Sequence, residues 1–257
     1  FAHQSFPWKN SASKNAGVHV VIVGVVPNAK TSPTPFLYVK VGDEWQKKPV
    51  TAISPYLVEG GQTVVRERSR PFSDVPAMVF GNMPNDRGYL ILSPHEKDQF
   101  ILQHPETEPW IKQLIGADEF IKGKLRYCLW LVDVPEEEFM GVPPVAERIK
   151  KVRSERLLSK KKGTRDLANY PWRFGEIRQP EGSFLLVPRV TSERRPYVPV
   201  GFLGKDFIPT DRNQIIPNAT YYEIGVLMSI IHMDWMRLTS GRLKSDYNYS
   251  IKPTYNT

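Results

Sequence analysis

The sequence predicts an α+β protein, with a mixed, irregular β-sheet core and several helices. A strand of α/β type precedes that core, and a long amphipathic helix follows it. Three observations predict this. Apolar runs of strand length are separated by connections rich in the chain's 23 prolines, and proline suits loops and sheet edges rather than sheet interiors. Between them lie segments with apolar residues every three or four positions, the helical period. The clearest of these opens on a Thr220-x-x-Glu223 capping box near the C-terminus.

Taken in order, Phe6-Pro-Trp8 leads into a polar turn at residues 9–17 and then into residues 18–26, apolar nearly throughout. Continuous apolar character at that length predicts a strand covered on both faces. The proline-rich stretch 27–35 reads as a linker. Strands are predicted at 36–41, 89–92, 127–132, 184–190 and 197–203, and helices at 95–102, 107–115 and 145–158. No internal repeat is visible. From Thr220, the residues Ile224, Leu227, Met228, Ile231, Trp235 and Leu238 recur at helical spacing, predicting one helix of about 19 residues whose apolar stripe needs a partner. Arg237 suits its negative end and Gly241 its stop.

Composition narrows the function classes. In 257 residues, Lys and Arg number 35 against 27 Asp and Glu, a net charge of +8, which favours phosphate-bearing partners through counterion release. The lone Cys128 lies in an apolar run, which excludes a disulfide scaffold or thiolate zinc cluster and fits a reducing, cytoplasmic setting. No apolar run reaches the roughly 18 residues needed to span a bilayer. The chain opens at Phe1 rather than methionine, which predicts a piece of a longer polypeptide.

The most informative stretch is Thr191-Ser-Glu-Arg-Arg-Pro-Tyr-Val-Pro-Val-Gly-Phe202, directly after the apolar run 184–190. Arginine forks read guanine edges and phosphates, and a carboxylate accepts from cytosine or orients an arginine. Arg189 stands at the same place, and a second acid–arginine pair, Glu176-Ile-Arg178, lies upstream at the other end of the same strand pair. The plainer alternative is a set of structural ion pairs, and Glu193 and Arg195 are placed to pair with each other. The segment from Arg148 to Arg156 carries Lys150, Lys151 and Arg153 around an apolar stripe of Val145, Ile149 and Val152, and Lys160, Lys161 and Lys162 follow. Such a helix can grip phosphates without reading sequence, or it can simply be a solvated face.

Other chemistries find less support. His3, His19, His95, His104 and His232 include no i, i+4 ligand pair, so no metal site is predicted. No Gly-x-Ser-x-Gly elbow and no glycine-rich phosphate loop occur. Asp86, Glu96 and Asp98 could be assembled as a metal-dependent nuclease; the alternative is a glycine-terminated turn before a helix that favours acids at its start.

Several ordered motifs resemble a known family. They are Phe6-x-Trp8-x-Asn10, Val18-His-Val-Val-Ile-Val-Gly24, Ile53-Ser-Pro-Tyr-Leu57, Gly81-Asn-Met-Pro-Asn-Asp86-x-Gly-x-Leu-Ile-Leu-Ser93, Gly116-Ala-x-Glu-Phe-Ile-x-Gly123 and Arg126-x-Cys-Leu-Trp-Leu131. Phe184-Leu-Leu-Val-Pro-Arg-Val190, His232-Met-x-Trp-Met-Arg237 and Gly241-Arg-Leu-Lys-Ser-Asp-Tyr-x-Tyr-Ser250 complete the set. Together they resemble, over nearly the whole chain, the MmeI-like DNA methyltransferases, single-chain restriction-modification enzymes of bacterial defence. The resemblance implies a parent enzyme that methylates adenine N6 with S-adenosylmethionine and in some members also cuts DNA.

On that resemblance, residues 1–30 are the last piece of an α/β methyltransferase domain, and Phe6 and Trp8 resemble the aromatic motif lining the flipped-base pocket. Residues 31–216 are the target-recognition domain and 217–257 the start of a helical C-terminal segment. The Asn-Pro-Pro-aromatic turn, the glycine-rich cofactor loop and a nuclease Asp…Glu-x-Lys signature are absent from the sequence. The resemblance therefore implies a recognition fragment that is not an enzyme by itself and holds no cofactor, with double-stranded DNA and the rest of its own chain as partners and no membrane. Glu176, Arg178, Glu193, Arg194 and Arg195 are the candidates for base or near-base contacts, supported by Arg189. Lys150, Lys151, Arg153, Lys160, Lys161, Lys162, Arg242 and Lys244 are the candidates for phosphate contacts. Holding the loop or gripping the DNA backbone is the alternative role for residues 192–195, and a structural docking module is the alternative for the whole chain.

Overall fold

The computed structural model describes residues 1–8, 11, 18–27 and 33–257. Asn10, most of the predicted turn 9–17 and the middle of the predicted linker 27–35 lie outside the described residues. The chain packs as two compact units. One comprises Phe1–Phe72, Ser192–Pro196 and Asp234–Thr257; the other comprises Ser73–Thr191 and Tyr197–Met233.

The first unit holds a four-stranded sheet in the order His19–Val23, Ala2–Pro7, Phe36–Val41, Glu44–Pro49. The pairing is antiparallel, then parallel (Ala2 opposite Leu37), then antiparallel. Gly42, at φ +62°, opens the two-residue turn of the last hairpin, a conformation glycine adopts without a Cβ penalty. One sheet face buries Ala2 and Leu37 with Val50 and packs Val39, Ile53 and Leu57 around them. Rings cluster at Phe1, His3, Phe6, Tyr38 and Trp45, with His3 stacked on Tyr38 at 4.2 Å. The strand His19–Val23 is not covered on both faces as predicted. It is an edge strand with one neighbour, and Val21, Ile22 and Val23 are each about half exposed.

The second unit carries two four-stranded sheets. One runs Gly201–Leu203, Phe184–Pro188, Asn213–Pro217, Val79–Phe80, antiparallel throughout. The other runs Phe207–Pro209, Ile111–Ile115, Tyr127–Leu129, Ile91–Leu92, with only its first pair parallel. All five residues of Phe184–Pro188 are buried, which explains its unbroken apolar sequence. The helix Pro143–Leu157 lays Val145 and Ile149 against Leu92, Leu129, Leu131 and Phe139, and Val152 against Leu90, Leu114 and Cys128. Each such buried side chain stabilises the fold by about 1.5–3 kcal/mol. Burial also pushes the Cys128 thiol up, so it is an inert core residue.

Two helical predictions are corrected. Residues 107–115 are not one helix but a 3-10 turn, Pro105–Trp110, running into the strand Ile111–Ile115; Pro109 has no amide hydrogen to continue an α-helix. The single C-terminal helix is two helices, Tyr221–Leu227 and Ile230–Thr239. The Thr220/Glu223 capping box forms as predicted. The break comes because Ser229 Oγ accepts the His232 amide at 3.1 Å, a fresh N-cap that competes with continuation. Beyond it stand a hairpin, Gly241–Leu243 with Asp246–Asn248, and a π-helical turn, Ile251–Tyr255, so the segment after Ser240 is not a continuing α-helix.

Candidate nucleic-acid interface

In the second unit, the basic helix separates its cations by face. Arg148 and Arg156 continue the apolar stripe inward, whereas Lys150, Lys151 and Arg153 are exposed. Arg148 donates to Tyr89 O at 2.9 Å and Ile91 O at 3.3 Å and pairs with Glu96 Oε1 at 2.6 Å. Arg156, 2% exposed, donates Nε to Asn85 O (3.0 Å), Nη1 to Leu167 O and Tyr170 O (3.0 Å each), and Nη2 to Pro84 O (3.2 Å) and Arg173 O (2.7 Å). One guanidinium therefore satisfies carbonyls from three segments, which explains why a charge can be buried there. Lys151 pairs with Glu147 at 2.6 Å. Lys160 and Lys161 are exposed on a loop and Lys162 is exposed at the start of the short helix Lys162–Asp166, whose Arg165 donates to Ser159 O and Lys160 O, both at 2.9 Å.

Glu176 and Arg178 are brought together, and they form an ion pair. They lie in coil held by buried Asn82, not on the strand pair itself: Met83 and Glu176 exchange backbone hydrogen bonds, and Arg178 N donates to Asn82 Oδ1 at 2.6 Å. Arg178 Nη1 also donates to Gly81 O at 3.0 Å. Arg189 lies over the Phe80 ring, 5.4 Å from its centroid.

In the first unit, Glu193 does not pair with Arg195. Its carboxylate meets His19 Nε2 and Arg242 Nη1, each at 3.5 Å, and its amide donates to Asp246 Oδ1 at 3.4 Å. Ser192 organises the turn through Arg194 N to its Oγ (3.3 Å) and Arg195 N to its carbonyl (3.1 Å). The Arg194 and Arg195 side chains are exposed, and among the described residues neither guanidinium has an acid partner. Arg242 also donates to Ser245 O at 2.8 Å and lies over Tyr247. Lys244 sits exposed at the hairpin turn with φ +59°. Phe6 packs edge-on against Trp45 at 5.2 Å, while Trp8 is 47% exposed.

The carboxylates proposed for a nuclease do not converge. Asp86 is buried and accepts the amides of Gly88 (3.0 Å) and Leu90 (2.7 Å). Glu96 accepts the Ser93 amide, which with the Arg148 guanidinium holds its pKa below the usual carboxylate range. Asp98 pairs with Lys97 at the surface. Among the described residues, no three His, Cys, Asp or Glu side chains are grouped to hold a metal ion, and no helix is long and apolar enough to cross a membrane.

Residue types alone do not reveal the structural use of Arg148, Arg156 and Asn82. A signal existed for Arg156: positions 145, 149, 152 and 156 share one helical stripe, so an arginine there faces inward.

Residues 59–257 match the family described as MmeI, target recognition domain, and residues 1–39 match MmeI, DNA-methyltransferase domain. The chain belongs to the MmeI target recognition domain family. It is 44% identical over all 257 residues to DNA methyltransferase A of Bacillus subtilis (strain 168), of which it covers 29%. It also resembles a solved structure of the type IIL restriction-modification enzyme MmeI in complex with DNA, with a TM-score of 0.91 and 38% identity, over 99% of this chain and 34% of that one. The chain thus spans about a third of the length of these relatives.

Proposed function

We propose that this chain reads double-stranded DNA as the target-recognition part of an S-adenosylmethionine-dependent adenine-N6 methyltransferase of a restriction-modification system. On this reading residues 1–30 end the catalytic domain, 31–216 recognise the target, and the protein works in the cytoplasm. The observation that carries it is the turn at residues 192–195. Its backbone is fixed by Ser192, and its carboxylate is held by His19 and Arg242. Arg194 and Arg195 are nevertheless exposed and without an acid partner among the described residues. A guanidinium on a preorganised backbone is what bidentate readout of guanine requires.

Glu176, Arg178 and Glu193 join Arg194 and Arg195 as base or near-base candidates, with Arg189 in support. Lys150, Lys151, Arg153, Lys160, Lys161, Lys162, Arg242 and Lys244 are the phosphate candidates. Their roles differ in strength of support. Arg178 and Glu193 already have intramolecular partners, so they reach DNA only by exchanging them, whereas Lys160, Lys161 and Lys162 have no acid partner to give up among the described residues. Phe6 and Trp8 would help line a flipped-base pocket. The residues of this chain supply neither the Asn-Pro-Pro-aromatic turn nor the glycine-rich loop that would hold adenine and cofactor.

The test is to select a preferred duplex from a randomised pool and compare Arg195→Ala with the parent chain. Loss of about 1–3 kcal/mol on the selected site, with relaxed preference at one position, is expected. Equal losses on selected and scrambled duplexes would reassign Arg195 to backbone gripping. Absence of any salt-sensitive duplex affinity would leave the docking-module reading standing instead.

A further inference from the structure

The segment Arg66-Glu-Arg-Ser-Arg70 puts three arginines at alternate positions, in a part of the first unit with no regular secondary structure. All three are exposed, and so is Glu67. Among the described residues none of these four side chains is in an ion pair, although the chain pairs acids and bases freely elsewhere.

The backbone beneath them is held firmly. The Val65 amide donates to Tyr56 Oη at 2.6 Å. Arg68 is tied at both of its backbone polar groups: its amide donates to Lys252 O at 3.3 Å, and its carbonyl accepts from Asn256 Nδ2 at 2.8 Å. Phe72 N donates to Asn256 O at 3.0 Å. Asn256 is itself buried, 3% exposed, at the C-cap of the π-helical turn Ile251–Tyr255. Irregular exposed backbone usually satisfies its groups with water. Here four protein hydrogen bonds fix it, while the side chains it carries are left outside.

We propose that Arg66, Arg68 and Arg70 form a comb that grips the phosphates of a DNA duplex independently of its sequence. The inference rests on the DNA-reading function proposed above and adds a binding surface to it. From residue 63 to residue 68 the chain runs without turn or bend. Arg66 and Arg68, two positions apart in that run and both exposed, lie at most about 7 Å apart along the backbone, so both charges can reach one stretch of phosphate backbone. Arg68 lies over the ring of Phe72, 5.1 Å from its centroid, and Phe72 is 74% exposed. The stack limits where the guanidinium can swing and so lowers the entropy cost of gripping a phosphate. Lys252, exposed on the turn that holds Arg68, adds a further cation beside them.

The experiment measures affinity of the 257-residue chain for a mixed-sequence duplex by fluorescence anisotropy, between about 50 and 200 mM salt. The triple variant R66A/R68A/R70A should bind every duplex more weakly by the same factor. Its plot of log affinity against log salt should be shallower by about 2–3, near 0.9 for each phosphate no longer neutralised. The triple lysine variant, which keeps the charges, should restore most of that slope. The single variants Arg66→Ala and Arg68→Ala, each removing one exposed side chain, should each flatten it by about 0.9. A parent chain with a steep salt slope that the triple and single variants leave unchanged would overturn the comb while sparing the DNA-reading function. A parent chain with no salt-sensitive affinity would overturn both.

Discussion

Replacing Arg156 by methionine should be among the most damaging single substitutions in the second unit. The stem volume is kept, so the packing of Val152 and its helix against Leu90, Leu114 and Cys128 is little changed. What is lost is the guanidinium, with five hydrogen bonds to the carbonyls of Pro84, Asn85, Leu167, Tyr170 and Arg173. A hydrogen bond to a charged group contributes about 1.5–3 kcal/mol, and a buried acceptor left unpaired costs about 1–3 kcal/mol. Summing five such terms overshoots, because Arg156 lines an open cleft of about 520 Å³ shared with Asn85, Arg87 and Lys161, and water can enter to serve some of the carbonyls. Removing one member of a buried charged network typically costs 3–5 kcal/mol, and a loss of about that size is expected. In a domain of this size it corresponds to a fall in Tm of about 6–20 °C. Arg156→Lys keeps the charge but has three donors on one atom, so it should recover only part of the loss. Urea unfolding followed by circular dichroism measures both variants. A loss below about 1 kcal/mol for Arg156→Met would refute the claim that this side chain holds the three segments together.

Two further perturbations probe the same unit. Gly81→Ala should destabilise by about 1–3 kcal/mol, because its Cβ would stand 2.4 Å from Thr210 O and 2.7 Å from Pro209 O, backbone atoms that cannot swing away; a midpoint within error of the parent would show that the strands part easily there. His232, pushed down to about 4 by burial, is neutral in the fold but charges readily once unfolded. The unfolded state therefore binds the extra proton, and stability present above pH 6.5 is lost as pH falls toward 4, by about 2 kcal/mol at pH 5. Urea midpoints of the parent and His232→Gln should converge as pH is lowered through that window; parallel curves would remove His232 as the cause.

Local chemistry made much of this fold legible. The strand Phe36–Val41 and the helix Pro143–Leu157 were readable because period and boundary signals agree there. Ser93, Pro94 and Glu96 mark the start of the helix Pro94–Gln103 in the same way. Failures came where a single residue outweighed periodicity. Ser229 interrupts the helix although the apolar stripe runs on past it, and its competing cap is visible only once the hydroxyl is seen on the His232 amide. At residues 107–115, the helical spacing of Trp110 and Leu114 conceals a strand whose register is set by Tyr127–Leu129, a neighbour distant in sequence. The candidate site was legible as a composition of arginine and glutamate but not as a pairing pattern. Nothing local to Glu193 reveals that its partners are His19 and Arg242 rather than Arg195.

That pairing pattern decides what a net charge of +8 can mean for DNA. Arg148 and Arg156 are engaged by carbonyls and Glu96, Arg126 by Glu119, and Arg178 by Glu176 and Gly81 O. Their positive charge contributes to the field around the molecule, but their donors are committed, and direct phosphate binding would leave buried acceptors unpaired. The exposed cations without acids follow a different chemical rule. At residues 160–162 they are lysines, compact charges on flexible stems suited to any phosphate geometry. At residues 194–195 and 66–70 they are arginines on backbone fixed by hydrogen bonds, suited to a defined fork geometry. The inward positions use arginine because one planar fork spreads five donors over carbonyls from separate segments, as Arg156 does, whereas lysine offers three donors from a single atom. A search for the DNA-facing surface of this chain should therefore weigh each cation by what its backbone and donors are already doing, and on that measure the fixed, unpaired arginines rank above the more conspicuous basic helix.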